Sequence, residues 1–369
     1  MAAKKKQIKK GLSSEELITQ YLSDRSGDHF NFEEEEFYKV STGSLLLDIE
    51  TGGGLGPGLH RFCGVNEGGK TSEALEVGKN FQKQFSNGKV IYLKTEGRFS
   101  PEMRARCGID MNETKFFMYE SNIYESVFDL MKLLILNNDE GKKYLFIIDS
   151  LDGLIPRDDI DKPTEKSSMV AGGAVIASTI MKKISNQMTK RGHMAIFVSQ
   201  VRADIRILYT SAPVRQTTAT GGNALLHFAN WIFDFQPRFN KDLILEKDKE
   251  QPDRKTNKIL GHKVKIMIKK SPNEKSNYLI EYPVKYGRTG GKSIWIEKEI
   301  ADLLIEWDYA KRSGPWLTMD PDVIEELKET GLEMPEKIQG QGKLFDFLEA
   351  NPKIVDFFFN KFKNVLSNV

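Results

Sequence analysis

The stretch Gly64-Val65-Asn66-Glu67-Gly68-Gly69-Lys70-Thr71 has the spacing G-x-x-x-x-G-K-[ST], which is typical of a loop that surrounds phosphate groups. An apolar run at 59–64 precedes it and a helix-like stretch at 71–85 follows, which is the context such a loop requires. Glycine lets the backbone N–H groups point inward toward the phosphates. The pattern predicts a nucleotide site from Gly64 to Ser72, with Lys70 on the β and γ phosphates and the Thr71 hydroxyl on Mg²⁺.

Short apolar runs alternate with helix-like segments on both sides of this loop. The runs lie at 59–64, 90–94, 144–149, 194–200 and 231–235, and the clearest helical stretches at 71–85 and 123–136. Nearly continuous apolar strands separated by helices are typical of a parallel sheet that is covered on both faces. Alternating residues at 263–268 and 278–284 predict an antiparallel extension. The predicted fold class is therefore α/β, with a mostly parallel central sheet.

The two ends of the chain differ from this centre. Ser13-Ser14-Glu15-Glu16 predicts a capping box, followed by the apolar stripe of a short helix. That stripe packs on the chain's own core or on a neighbouring protein, and the sequence does not decide between the two. From about Trp307 the pattern is helical, with a joint at Gly314-Pro315. We expect an N-terminal helix and arm at 1–38, a nucleotide-binding core at 39–300 and a small C-terminal α/β domain at 301–369.

The composition argues against a disulfide-rich protein, a cysteine–histidine metal site, a membrane-spanning protein and a secreted protein. The 369 residues include 54 basic and 52 acidic ones, so a nucleic-acid site would depend on local placement of charge. Two cysteines and five histidines show no metal-ligand spacing, and a disulfide framework is not expected. No apolar run reaches the length of a membrane span, and the basic N-terminus lacks the apolar segment of a secretory signal. We expect a cytoplasmic protein that does not contact a membrane.

Polar side chains follow three of the predicted strands. Asp149 ends the run 144–149, where a carboxylate can assist Mg²⁺ beside Thr71. Glu96 follows the run 90–94 and is the candidate base that activates water, with a solvated loop carboxylate as the open alternative. Gln200 ends the run 194–200 and is a candidate sensor of the γ-phosphate. These side chains are expected to converge because the carboxyl ends of parallel strands meet at one edge of the sheet.

These residues, in this order, resemble the bacterial RecA recombinases and the related phage UvsX-type proteins. The resemblance covers roughly residues 39–366 and includes the phosphate loop, Thr95-Glu96, Ile148-Asp149-Ser150 and Ser199-Gln200. Its most diagnostic part is Thr220-Gly221-Gly222-Asn223-Ala224-Leu225, which other P-loop ATPases lack. Residues 313–316 and 337–343 resemble the C-terminal domain of the family. The resemblance implies a RecA-type P-loop ATPase core with DNA-binding loops at 39–300.

For the nucleotide, the resemblance implies ATP bound with Mg²⁺ between the subunits of a homo-oligomeric helical filament. Glu96 matches the glutamate that activates water, and Gln200 matches the glutamine that reports the γ-phosphate to the DNA loop. Met103 and Tyr286 match the positions that pack on adenine. Lys269 and Lys270 match, to within one residue of register, the region that reaches the γ-phosphate of the neighbouring subunit.

For DNA, the resemblance implies two loops, at about 161–169 and at 201–220. Met169 matches the wedge of the first loop, while Leu208 and Tyr209 match an apolar pair that separates base triplets. Packing of that pair on the core is the alternative. The implied DNA-binding residues are Met169, Lys182, Arg202, Arg206, Leu208, Tyr209, Thr220, Gly221, Gly222 and Asn223. An acid at Asp204, where a basic residue is common, and the lack of a long acidic tail favour a phage-encoded relative over a bacterial one.

The function that follows from the resemblance is homologous recombination. We expect filaments on single-stranded DNA, pairing and strand exchange with double-stranded DNA, and ATP hydrolysis stimulated by DNA. Single-strand-binding and loader proteins are the further partners that the family implies. Two alternatives stay open: a motor such as a hexameric helicase, and a non-catalytic filament or mediator protein. Residues 220–225 argue against the first alternative, and intact Lys70, Glu96 and Gln200 argue against the second.

Overall fold

The computed structural model describes most of the chain. The described residues are 13–25, 36–95, 97, 99–138, 141–160, 171–203, 217–219, 226–247, 251–253 and 255–367. Among these, only the backbone is described at 171–178, 180, 201–203, 217–219 and 365–367.

One large sheet forms the centre of the described fold. Its main path runs β10-β9-β7-β1-β5-β4-β2-β3, with β6 paired to β5 and β8 paired to β9. The strands from β7 to β3 along this path are mutually parallel, whereas β9 and β10 are antiparallel. The strands are β1 Gly58–Gly64, β2 Gly88–Lys94, β3 Phe116–Glu120, β4 Lys143–Asp149, β5 Met194–Ala203, β6 Thr217–Ala219, β7 Ala229–Phe235, β8 Leu243–Leu245, β9 Ile259–Lys270 and β10 Tyr278–Lys285. The predicted α/β class, the mostly parallel sheet and its antiparallel extension are confirmed.

Helices cover both faces of this sheet. In chain order, the first six helices of the described residues are α1 Ser14–Asp24, α2 Leu45–Thr51, α3 Lys70–Gln84, α4 Pro101–Cys107, α5 Tyr124–Leu136 and α6 Ala171–Lys190. On one face α3 contributes Leu75 and Phe81 to a core that also holds Phe62 and Phe233. On the other face α5 and α6 pack over a second core, which includes Phe128, Met181 and Phe197. Burial on both faces explains why the central strands are almost continuously apolar in sequence.

Strand β3 was not expected from the sequence. It lies at the edge of the sheet, paired only with β2 along the main path. Its five residues are mostly half-buried or exposed, and only Phe116 is buried. Its run at 116–119 is apolar, but a run of four residues is too short for periodicity to distinguish a strand from a buried helix segment.

The C-terminal region combines helices with a small second sheet. Strands β11 Ala310–Ser313, β12 Trp316–Met319 and β13 Lys337–Gln339 form an antiparallel sheet, with Gly314 in the left-handed region at the β11–β12 turn. The remaining helices are Ile296–Glu306, Pro321–Glu329, Gly340–Ala350 and Pro352–Ser367. The helical pattern expected from about Trp307 misses these three strands, because runs of three or four residues are too short to show alternation. The α/β character expected for the C-terminal region is confirmed.

The first C-terminal helix crosses the predicted domain boundary. Residue 300 lies in the middle of Ile296–Glu306, and Leu303 and Leu304 join Phe358 and Phe362 in the C-terminal core. Leu45 of α2 belongs to the same core, so the central and C-terminal parts of the chain are packed together. The division into three domains stays a prediction.

The N-terminal helix begins as expected. Ser13 accepts a hydrogen bond from the Glu16 backbone, and the Glu16 side chain accepts one from Ser13, which confirms the capping box. Helix α1 contains no buried residue, and its apolar residues Leu17, Ile18 and Tyr21 are 39%, 59% and 57% exposed. The stripe therefore does not pack on the described core of its own chain. No helix in the described part of the chain is both long and apolar enough to span a membrane.

Candidate nucleotide-binding site

The phosphate loop joins β1 to α3 in a conformation that needs glycine. Gly64 has φ 136°, and a Cβ there would lie 2.2 Å from the Phe235 carbonyl oxygen. Gly69, at φ 107°, is the N-cap residue of α3. Because glycine has no side chain, the backbone N–H groups of the first turn receive no hydrogen bond from a capping side chain. N–H groups without a side-chain cap and the positive end of a fifteen-residue helix favour an anion at this point. The loop therefore fits a phosphate chain.

Lys70 is buried against its own loop. Its Nζ donates to the carbonyl oxygens of Gly64, at 3.0 Å, and Val65, at 2.6 Å. The side chain is held over the loop that would contain the phosphates, and 8% of the residue is exposed. A cation in this place can neutralise phosphate charge with little loss to solvent screening.

Thr71 and Asp149 come together across neighbouring elements. The Thr71 hydroxyl donates to Asp149 Oδ2 at 2.8 Å, and the Tyr92 hydroxyl donates to the same oxygen at 2.7 Å. Burial, and then the Asp149 carboxylate, raise the pKa of Tyr92 far above its usual value, so Tyr92 remains a donor. A threonine hydroxyl beside a carboxylate at the end of the phosphate loop fits Mg²⁺, which prefers oxygen ligands.

A cleft of about 520 Å³ extends from the phosphate loop. Lys70 and Thr71 lie in its wall together with Met103 and Tyr286, the two positions that the resemblance assigns to adenine. Tyr286 is 45% exposed, and its ring centroid lies 5.3 Å from that of His262. Burial lowers the pKa of His262 to about 4, so it is neutral at physiological pH. The cleft thus has a cationic, polar end and a flat aromatic end.

Two arginines in this cleft were missed by the sequence analysis. Arg238 donates to the Tyr286 hydroxyl at 3.3 Å and to the Glu67 carbonyl at 2.9 Å, and so joins the two ends of the cleft. Arg106 donates to the Ser72 hydroxyl at 3.3 Å. Neither residue belongs to a local motif, because each reaches the site from an element distant in sequence, and no signal in a single sequence marks them.

Gln200 lies beside the start of the loop. It faces Gly64 in the register of β1 and β5, and its backbone N–H donates to Asp152 Oδ2 at 2.6 Å. The sequence predicted that this strand ends at Gln200. In the structure β5 continues to Ala203, and its last three residues pair with β6. Beyond Gln200 the strand therefore leaves the parallel part of the sheet for an antiparallel pair.

The two lysines at the end of β9 have different surroundings. Adjacent residues of a strand point to opposite faces of the sheet. Lys270 Nζ donates to the carbonyl oxygens of Leu226 and His227 of its own chain, at 2.8 Å each, whereas Lys269 is exposed. Of the two, Lys269 is the more accessible to another molecule.

Several predicted site residues lie outside the described residues. Glu96 is one of them, and so are Met169, Arg206, Leu208, Tyr209, Thr220, Gly221, Gly222 and Asn223. For Arg202 only the backbone is described, in β5 opposite Thr218. Lys182 is exposed on α6. Their roles toward DNA and water stay predictions.

Comparison with known proteins decides the family. A family model described as "RecA N-terminal domain" matches residues 25–278, which is more than half of the chain. The chain belongs to the RecA family. It is similar to Protein RecA of Streptomyces venezuelae, with 27% identity over 331 residues, 89% of this chain and 76% of that protein. Protein RecA of Pseudomonas fluorescens is 26% identical over 333 residues, 89% of this chain and 82% of that protein.

The chain is also similar to a third relative and to a solved structure. Protein RecA of an Arthrobacter species is 28% identical over 287 residues, 77% of this chain and 74% of that protein. The structure described as "Crystal structure of the RadB recombinase" has a TM-score of 0.46 at 19% identity, over 69% of this chain and 98% of that chain. RecA-family membership makes this protein a recombinase of DNA recombination and repair, and implies DNA as a partner and ATP with Mg²⁺ at the P-loop.

Proposed function

We propose that this RecA-family protein forms filaments on single-stranded DNA and catalyses homologous pairing and strand exchange, with DNA-stimulated hydrolysis of ATP. The observation that carries the proposal is the meeting of Thr71 and Asp149, 2.8 Å apart, beside a glycine-shaped phosphate loop. A protein that only bridges DNA has no need for this hydroxyl–carboxylate pair, whereas a nucleotide hydrolase does.

The predicted site residues each have a defined task in this proposal. Lys70 neutralises charge on the β and γ phosphates, and the N–H groups of the loop and of α3 bind their oxygens. Bound Mg²⁺ neutralises the charge that develops on the transferring phosphoryl group. Thr71 and Asp149 orient that ion, Glu96 orients and deprotonates the attacking water, and Met103 and Tyr286 pack on the adenine.

The course of β5 supports coupling between ATP and DNA. Gln200 lies opposite Gly64, the first residue of the phosphate loop, and its neighbour Val201 already pairs with Ala219 of β6. The proposed second DNA loop, 201–220, thus begins one residue after the position that faces the phosphate loop. A shift of Gln200 on γ-phosphate binding would move the base of that loop directly.

Two exposed features support assembly into a filament. The apolar stripe of α1 does not pack on the described core of its own chain, and helices of this kind gain stability mainly from packing of that face. Lys269 is exposed near the end of β9. We propose that the stripe packs on one neighbour and that Lys269 completes the nucleotide site of another.

The test is ATP hydrolysis by the purified full chain with and without single-stranded DNA. We expect stimulation by DNA in the wild-type protein, and a fall of about a hundredfold or more in Lys70→Ala because a preorganised charge on the phosphates is lost. Lys83→Ala, at the exposed far end of α3, is the matched control and should retain activity.

Electron microscopy with single-stranded DNA and a slowly hydrolysed ATP analogue separates the competing functions. Open helical filaments support the recombinase, whereas closed rings would indicate a motor of the helicase type. Filaments formed by a wild-type protein that does not hydrolyse ATP would indicate a non-catalytic DNA-binding protein.

A further inference from the structure

Tyr92 is a buried tyrosine whose hydroxyl has one described hydrogen bond, to the proposed metal-binding carboxylate. It lies on β2 and is 3% exposed, with its ring 5.2 Å from that of Phe99 and 6.3 Å from that of Phe116. The aromatic neighbours fix the ring, and the hydroxyl donates to Asp149 Oδ2 at 2.7 Å. A phenylalanine would fill the same space, so packing alone does not explain the hydroxyl.

The hydroxyls of Tyr92 and Thr71 converge on one oxygen. Both donate to Asp149 Oδ2, Tyr92 from the neighbouring strand and Thr71 from the first turn of α3. Because the Thr71 proton points to this carboxylate, the lone pairs of its oxygen are left for a metal ion. The direction of the Thr71 hydroxyl therefore depends on where Asp149 Oδ2 is held.

The end of β2 also holds the backbone of Asp149. Lys94 faces Asp149 in the parallel register, and the Thr95 N–H donates to the Asp149 carbonyl oxygen at 3.0 Å. The next peptide is held as well, since the Ser150 N–H donates to Thr95 Oγ1 at 2.9 Å. Asp149 is thus held at two points: its main chain by Thr95, the residue after β2, and its side chain by Tyr92 of β2.

We propose that Tyr92 is a positioning residue of the Mg²⁺ site, acting through Asp149 on the Thr71 hydroxyl; this inference rests on the proposed nucleotide function. The partner of a metal-orienting group usually affects metal affinity strongly, by about 10-fold to 100-fold when it is removed.

The experiment compares Tyr92→Phe with the wild-type full chain. Mn²⁺ binding in the presence of ADP is followed by electron paramagnetic resonance, and ADP binding in EDTA is measured by calorimetry. We expect Tyr92→Phe to raise the apparent Kd for Mn²⁺ about tenfold or more, while ADP affinity in EDTA stays unchanged. Tyr119→Phe is the matched control, because the Tyr119 hydroxyl contacts Ser126 Oγ, at 2.7 Å, instead of the site.

The outcomes separate this inference from the proposed function. An unchanged Mn²⁺ affinity in Tyr92→Phe overturns the positioning role. Equal losses of ADP affinity with and without metal also overturn it, because they indicate a general disturbance of the core. A wild-type protein that binds neither ADP nor Mn²⁺ overturns the proposed nucleotide function, and the positioning role with it.

Discussion

Glu96 is the second residue after strand β2. The residue before it, Thr95, is hydrogen-bonded to the end of β4. Thr95 donates through its N–H to the Asp149 carbonyl and accepts the Ser150 N–H. We expect Glu96→Gln to retain ATP and DNA binding but to slow hydrolysis about 10²–10⁴-fold, because a general base is lost. Steady-state ATPase assays measure the loss, and filament lifetimes on single-stranded DNA should lengthen. Glu102→Gln, an exposed glutamate on α4, is the control. Normal hydrolysis in Glu96→Gln would assign the base to another residue.

At the scale of elements, Glu299 joins two helices. Its carboxyl oxygens accept from the Ser44 hydroxyl at 2.6 Å and the Leu45 N–H at 2.7 Å, at the beginning of α2. Complete burial, with a smaller contribution from Asp48, raises the pKa of Glu299 to about 8. The folded protein therefore keeps a proton that the unfolded chain releases above its ordinary pKa of 4.5. The contribution of Glu299 to stability is present below pH 4.5 and is lost as the pH rises through 8.

Glu299→Gln should remove this pH dependence, because an amide has no proton to release and still offers an oxygen to Leu45. We expect the variant to gain stability relative to the wild type as the pH rises from 4.5 to 8. Each pKa unit is worth about 1.4 kcal/mol, so the gain is on the order of a few kcal/mol. Urea denaturation at a series of pH values measures it, with Glu325→Gln, exposed on Pro321–Glu329, as the control. Parallel pH profiles of wild type and Glu299→Gln would refute the protonated state.

At the scale of the whole molecule, the proposed active site needs a second subunit. Lys269 is exposed, whereas Lys270 donates hydrogen bonds to carbonyl groups of its own chain. Lys269→Ala therefore tests the contact between subunits more cleanly than a variant in which both lysines are replaced. Lys70→Ala and Lys269→Ala should each be inactive alone. In an equal mixture, about one interface in four pairs an intact phosphate loop with an intact Lys269, since the interfaces of a helical filament are head-to-tail.

The mixture should therefore recover part of the DNA-dependent ATPase. Lys263→Ala is the control, because Lys263 lies on the same strand, paired with Glu281 at 3.2 Å, and should stay active alone. If the mixed proteins assemble together on DNA without any recovery of activity, Lys269 does not act on the neighbouring nucleotide.

Sequence by itself determined the features that are encoded within short windows. The glycine spacing of 64–71 indicated the phosphate loop, continuous apolar runs indicated the buried parallel strands, and the residues after Ser13 indicated a capped helix. Each of these depends on local backbone geometry or periodicity, which a window of about ten residues contains. The order of the motifs along the chain was enough to indicate the family.

Only the tertiary structure decided which side chains meet. Tyr92 and Asp149 are 57 residues apart, and Thr71 and Asp149 are 78 apart, yet their oxygens share one site. The same holds for Arg238 beside Tyr286 and for Lys270 against the carbonyl of Leu226. Strands β11 to β13 also needed their partners to be recognised, because each is too short to show a period. Such contacts are fixed by strand register and by packing between distant elements, and neither leaves a mark on the local pattern of residues.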